Sequence, residues 1–245
     1  MARRKPLFSR RIGKFTWDRR AFALLLFAAL FVTGRGWLAE HPEHDPWAPL
    51  DLRDPPGWAT ASKLRALRGD VGQCRAVLAR SQVTYSALPA TGEGECARPD
   101  RTRLDLYPFV PAPPPTTCPV AIALELWRRD TIEPQAREIF GSGLARIEHL
   151  GAFSCRRIYG RGEGPWSEHA SGNAVDIAAL VLDNGTRVSV LADWNGDDPN
   201  KALFLRRIRD GACRAFSTVL GPEYNAAHAD HLHLDMAGRW SGVCR

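Results

Sequence analysis

Twelve apolar residues follow one another without a break from Ala21 to Val32. A helix that crosses a bilayer needs about twenty, so the run alone has the length of a signal-peptide core. Gly34, Gly36, Trp37 and Leu38 extend it into a span if Arg35 snorkels to the interface. No clear small-x-small cleavage site follows, which favours an uncleaved anchor over residues 1–39. Residues 40–60 are rich in proline and charge and read as a linker.

Past the linker the spacing turns helical near Lys63–Ala79, within a small region at 61–115 that ends in the prolines from Pro108 to Pro115. The main domain is expected over 116–245. It opens with Val120, Ala123, Leu124 and Trp127 at helical spacing, and a second helix is predicted from Pro134 to Phe140. Two β-rich runs, Val175–Leu182 and Thr186–Leu191, flank Asn184-Gly185, the pair that a type I′ hairpin turn demands. Phe204, Ile208, Ala212, Phe216 and Leu220 recur every four residues before Gly221-Pro222, which predicts a helix over 201–220. His231-Leu-His-Leu-Asp235 alternates as a strand does. His231, His233 and Asp235 share one face, and Leu232 and Leu234 point into the core.

Charge changes the picture once it is located. The chain carries +6, but residues 1–20 hold eight cations against Asp18, a local +7, so the other 225 residues carry −1. A nucleic-acid binder needs a basic face on its folded domain, and this domain has no surplus to build one. The cations instead flank the apolar run and predict that everything after it is exported. Export also accounts for the cysteines. All six lie beyond the run and none forms Cys-x-x-Cys, so an oxidising compartment would turn them into as many as three disulfides, in one of fifteen pairings.

Two short segments concentrate ligand-type side chains: Ser167-Glu-His-Ala-Ser-Gly-Asn-Ala-Val-Asp176 and His228-Ala-Asp-His-Leu-His-Leu-Asp235. They hold four of the seven histidines. A catalytic zinc site uses three nitrogen or oxygen ligands and leaves one position open. His169 and Asp176 supply two across a turn that Gly172 permits, and His233 supplies a third from a strand. Asp230 or His231 is then the candidate base for an attacking water. Ser167 and His228 are candidate supports, and Arg157 is a candidate cation for an oxyanion or substrate carboxylate. Asp193-Trp-Asn-Gly-Asp-Asp198 has an acidic look but no Glu at the twelfth position of a calcium loop, and reads as an ordinary loop.

The first segment fits Ser-x-His-x-x-Gly-x-Ala-x-Asp. It resembles the zinc signature shared by D-Ala-D-Ala carboxypeptidases, penicillin-insensitive murein endopeptidases and the hedgehog domain. The second resembles that group's His-x-His element, and His228 resembles the arrangement in the murein endopeptidases. The carboxypeptidases place Glu three residues before the last ligand, where this chain has Asp230. The resemblance implies zinc on His169, Asp176 and His233 and leaves the base open between His231 and Asp230. Over about 70–245 the chain is similar to the bacterial extensin-like C-terminal domain family. The likeness is carried by Cys118-Pro-Val-Ala, Gly151-Ala-Phe-Ser-Cys-Arg-Arg157 and Tyr224-Asn-Ala-Ala-His-Ala-Asp-His-Leu-His233, together with the zinc segment.

The expectation is an α+β domain: a small antiparallel sheet carrying a Zn2+ site, flanked by helices and fastened by disulfides. Its expected work is zinc-dependent hydrolysis of peptide bonds in peptidoglycan stems or cross-links. It is expected in the periplasm, held to the inner membrane by the N-terminal segment, with no nucleic-acid partner. The alternatives are a non-catalytic zinc module that binds wall peptide or protein, and a disulfide-fastened structural protein.

Overall fold

The computed structural model describes residues 16–238 and 242–245; the cations from Arg3 to Lys14 lie outside the described residues. Helix α1 (Thr16–Glu40) continues well past the twelve-residue apolar run, because Gly34 and Gly36 stay helical at its end. Its 25 residues span about 37 Å at ~1.5 Å each. None of its apolar window is buried against the rest of the protein, and it is long and apolar enough to cross a membrane.

The helical pattern near 63–79 resolves into two helices, α2 (Thr60–Ala66) and α3 (Val71–Arg80). Asp70 breaks the run by capping α3, its carboxylate accepting from the Gln73 N–H at 2.8 Å. Strands β1 (Tyr85–Ala87) and β2 (Thr102–Leu104) pair as a small antiparallel ribbon. Strand β3 (Phe109–Val110) leads to α4 (Cys118–Trp127) and α5 (Glu133–Phe140). Strands β4 (Leu144–Gly151), β5 (Ala174–Leu182) and β6 (Arg187–Ser189) follow. Then come α6 (Val190–Asp193), α7 (Pro199–Ala215), β7 (Thr218–Leu220), β8 (Leu232–Asp235) and β9 (Val243–Cys244).

The main sheet is not small and antiparallel. Among the described residues it has seven strands in the order β3-β4-β5-β8-β7-β9, with β6 paired to β5. Its two outer pairs, β3 with β4 and β7 with β9, are parallel. Parallel pairing needs a long crossover, and α4 and α5 supply it between β3 and β4. The outermost strands, β3 and β9, are only two residues long, too short to show as alternation in the sequence.

Two other expectations are corrected. Helix α7 stops at Ala215, because Phe216 is extended and Thr218–Leu220 pairs with β8, Val219 opposite Leu234. Phe216 and Leu220 keep the four-residue spacing, yet positions 216, 218 and 220 also satisfy a strand's alternation, and burial of β-branched Val219 decides for the sheet. The β5–β6 hairpin turns at Asn184-Gly185, but only Gly185 has positive φ, at 85°. A type I′ turn needs both. Leu182 donates its N–H to the Thr186 carbonyl at 2.9 Å, leaving a three-residue loop with glycine in its left-handed position.

One hydrophobic core joins both sides of the Pro108–Pro115 stretch, from Leu64, Cys74 and Leu78 to Ile177, Leu232 and Leu234. Leu50 and Leu52, within the stretch read as a linker, are also buried in it. At its centre α4 is buried on nearly every face. Tyr107 donates its hydroxyl to the Leu124 carbonyl at 2.8 Å, and Trp127 donates its indole N–H to the Ile208 carbonyl at 2.7 Å. Both polar handles of these buried aromatics are thus satisfied. The six cysteines pair as Cys74–Cys118, Cys96–Cys155 and Cys213–Cys244.

Helix α7 approaches the turn after α4 so closely at Gly211 that an added Cβ would run into the Thr131 side chain. Gly211→Ala is therefore expected to cost about 1–3 kcal/mol as an overpacking change, read as a lower urea midpoint. Gly69→Ala, where nothing lies within 4 Å of the new atom, should leave the unfolding free energy from the same melts within about 0.5 kcal/mol of wild type.

Candidate metal centre

Strand pairing brings the first two donors together. On β5, Val175 and Ile177 are fully buried and Asp176 faces the other way; on β8, Leu232 and Leu234 are fully buried and His233 faces the other way. The register sets Asp176 directly opposite His233. His169 arrives from a short 3-10 turn, Glu168–Ser171. Ser167 caps that turn, its hydroxyl oxygen accepting from the His169 N–H at 3.3 Å. Gly172 closes it at φ +72°, and the Gly172 carbonyl accepts from the Thr117 N–H at 3.0 Å. Asn173 clasps the turn from the far side, donating its amide to the Glu168 carboxylate at 2.6 Å.

The result is a nearly equilateral triangle of ligand atoms. His169 Nε2 lies 3.1 Å from Asp176 Oδ1 and 3.0 Å from His233 Nδ1, and His233 Nδ1 lies 3.0 Å from the same Asp176 oxygen. Four-coordinate zinc with bonds of ~2.0–2.1 Å sets its ligands about 3.3 Å apart, so the three donors fit one ion without rearrangement. The far side of each ring is pinned. His169 Nδ1 is 3.3 Å from the Ala152 carbonyl, and His233 Nε2 is 3.1 Å from Asp235 Oδ2. A carbonyl and an ionised carboxylate only accept, so the far nitrogens carry the protons. The near nitrogens then turn their lone pairs toward the Asp176 oxygen. Three lone pairs converging in one half-buried spot call for a cation between them.

The electrostatics follow from that crowding. Burial is the largest influence on Asp176 and pushes its pKa up, but hydrogen bonds from His169 and His233 outweigh it and hold the carboxyl well below its usual range. Burial pushes His233 down, yet hydrogen bonds to Asp176 and Asp235 win and raise it to about 9. Without a metal, a proton takes the cation's place. His228 goes the other way: burial first, then the charges of His231 and His233, lower it to about 4 and keep it neutral.

The triangle opens on a cleft of about 460 Å³. His231 lines it, with Nε2 3.6 Å from Asp176 Oδ1, and Nδ1 is held at 2.7 Å by Asp230. Asp230 is itself more than half exposed, so it stands behind His231. His228 Nδ1 is 2.7 Å from Asn225 Oδ1, and the ring lies 5.2 Å from His231. Ser167 lines the cleft too, as support for the turn. Arg157 does not join them. Its guanidinium lies 4.6 Å over the Trp166 ring and donates to the Gly164 carbonyl, while the neighbouring Arg156 lines the cleft. The acidic loop at 193–198 is spent on local structure: Asp193 accepts from the Ser189 N–H and Asp198 caps α7.

Three contributors escape a reading by residue type. Ala152 acts through its backbone, which no side-chain motif reveals. Asp235 is visible on the histidine face of the strand, but only burial at 3 % exposure marks it as the partner of His233. The Tyr159 hydroxyl oxygen accepts from the Asn225 amide at 2.9 Å, a contact between loops 66 residues apart.

The fold and site thus define an α+β, disulfide-fastened domain whose His/Asp/His group can hold a metal ion. A family model described as the extensin-like protein C-terminus matches residues 72–245, and the chain belongs to that family. No curated protein and no solved structure matches it.

At Gly172 an added Cβ would meet only ordinary contacts, so the cost of Gly172→Ala is that of the left-handed backbone. The expected loss is about 1–2 kcal/mol, and Gly172→Asn should lose less because Asn tolerates that region. Paired urea melts of the two variants check the order.

Proposed function

We propose that the chain is a zinc-dependent peptidase that hydrolyses peptide bonds of peptidoglycan stems or cross-links on the outer face of the inner membrane. The observation that carries this reading is the convergence of His169 Nε2, Asp176 Oδ1 and His233 Nδ1 with the far side of each ring already pinned. Two nitrogens, one oxygen and an open cleft suit catalytic zinc better than a closed structural site. The resemblance of Ser167–Asp176 to the zinc signature of the murein peptidases supports the same substrate class.

Zinc held there would polarise a scissile carbonyl and make a water more acidic. The chain's own residues do the rest. His231, facing the triangle, takes the proton from the attacking water as oxygen bonds to the carbonyl carbon. It returns that proton to the amine as the C–N bond breaks. Asp230 holds the His231 tautomer with its free nitrogen toward the cleft. Asp235 and the Ala152 carbonyl keep the two ligand rings from turning. Arg156 offers a cation to a substrate carboxylate or a developing oxyanion. In this reading α1 crosses the membrane with the cations of residues 3–20 inside, and the oxidising outer compartment forms the three disulfides.

Full-length protein in detergent should carry about one zinc per chain, stripped by a chelator and restored by added zinc. His169→Ala and His233→Ala should lose the metal while keeping the wild-type circular dichroism. His231→Ala should keep zinc and lose about 10²–10⁴-fold in the rate of cross-linked muropeptide cleavage. Full zinc with every muropeptide left intact by the wild type would make the domain a zinc module that binds without cutting. No zinc at all would end both readings.

A further inference from the structure

We propose that Trp47 and Trp58 seat the folded domain on the headgroup–carbonyl layer of the bilayer that α1 crosses, so that residues 41–58 form a membrane collar instead of a free tether. This rests on the reading of α1 as a span. Trp17 and Trp37 stand near its two ends, twenty residues apart, which is about 30 Å of helix and matches the hydrocarbon thickness of a bilayer. Indoles favour the two interfaces, so Trp37 marks the outer one.

From Trp37 the chain does not move off into solvent. The Trp37 ring stacks on His41 at 4.4 Å and on His44 at 5.3 Å, and His44 meets Trp58 edge-on at 5.6 Å. The last two steps place Trp58 within about 11 Å of the Trp37 ring. Arg35, inside α1, pairs with Asp45 at 3.9 Å, and Asp45 accepts the Trp47 N–H at 3.0 Å. The same stretch is fixed to the domain on its other side. Lys63 donates to the Pro42 carbonyl at 2.6 Å, and Leu52, nearly fully buried, donates its N–H to Ser81.

Despite this fixation, the Trp47 and Trp58 side chains point outward, 79 % and 73 % exposed. A short rigid connector that holds two large indoles out of the core beside an interfacial tryptophan has one fitting partner of continuous surface, the bilayer itself. Charge argues for the zwitterionic interface over anionic headgroups. Residues 40–58 contain five acids and one arginine, a net −4, so attraction to anionic lipid cannot drive the contact.

The test uses the full chain labelled with 5-fluorotryptophan in phosphatidylcholine nanodiscs, with fluorine resonances assigned by single Trp→Phe variants at 17, 37, 47 and 58. Doxyl-labelled lipid should broaden all four resonances. A soluble gadolinium chelate should spare them, and raising the salt should change neither result. If Trp17 and Trp37 are broadened by the lipid label while Trp47 and Trp58 respond only to the soluble chelate, the seat is overturned and the span stands. A shift of Trp47 and Trp58 on adding glycan fragments would then assign the collar to the wall. If Trp17 and Trp37 also ignore the lipid label, the span fails and the seat with it.

Discussion

Asp176 and His233 face each other across the β5–β8 ladder, and that one register governs the rest of the centre. Slipping either strand by one residue would turn Asp176 or His233 into the core and expose Ile177 or Leu234. The apolar neighbours therefore hold the polar pair in place: burial of Val175, Ile177, Leu232 and Leu234 on one face determines where the donors emerge on the other. His169 then needs only a turn of the right height. The Ser167 cap, the left-handed Gly172 and the Glu168–Asn173 clasp provide it.

Much of this was legible from residue order. Ligand types at positions 169, 176 and 233, a glycine where the turn must reverse, and alternation of Leu232 and Leu234 with the histidines are local properties. A one-dimensional reading handles those well. What it missed depends on partners distant in the chain. Thr218–Leu220 looks like the tail of a helix until β8 is present to pair with it. Two-residue strands such as β3 and β9 carry no pattern of their own and exist because a longer strand offers them an edge. The choice of Arg156 over Arg157 for the cleft turns on which of two adjacent side chains Trp166 captures. In the proposed reaction the preference for His231 over Asp230 rests on a three-dimensional fact, His231 Nε2 lying 3.6 Å from Asp176 Oδ1 while Asp230 is more than half exposed.

The converging donors pose a problem that the surrounding fold answers. Donors 3.0–3.1 Å apart need a proton or a metal ion among them and a frame that holds their spacing. Here the segments that bear the donors are tied from outside. Cys118 adjoins Thr117, whose N–H and hydroxyl hold Gly172 and Asn173. Cys155 follows the Ala152 carbonyl by three residues, and its partner Cys96 lies beside the His169 turn. Cys244 sits on β9, against the edge of the β7–β8 pair.

Bridging separations of 44, 59 and 31 residues, each disulfide removes about 4 kcal/mol of unfolded-chain entropy in the loop-closure picture. A core that runs from Leu50 to Met236 adds to those ties. These ties hold the donor-bearing segments independently of any ion, unlike a zinc finger, where binding and folding are one event. The distinction bears on the proposed hydrolysis. In that reading a centre so tied would need little reorganisation as charge develops on a substrate, and His231, with Asp230 behind it, immediately precedes the strand that carries His233.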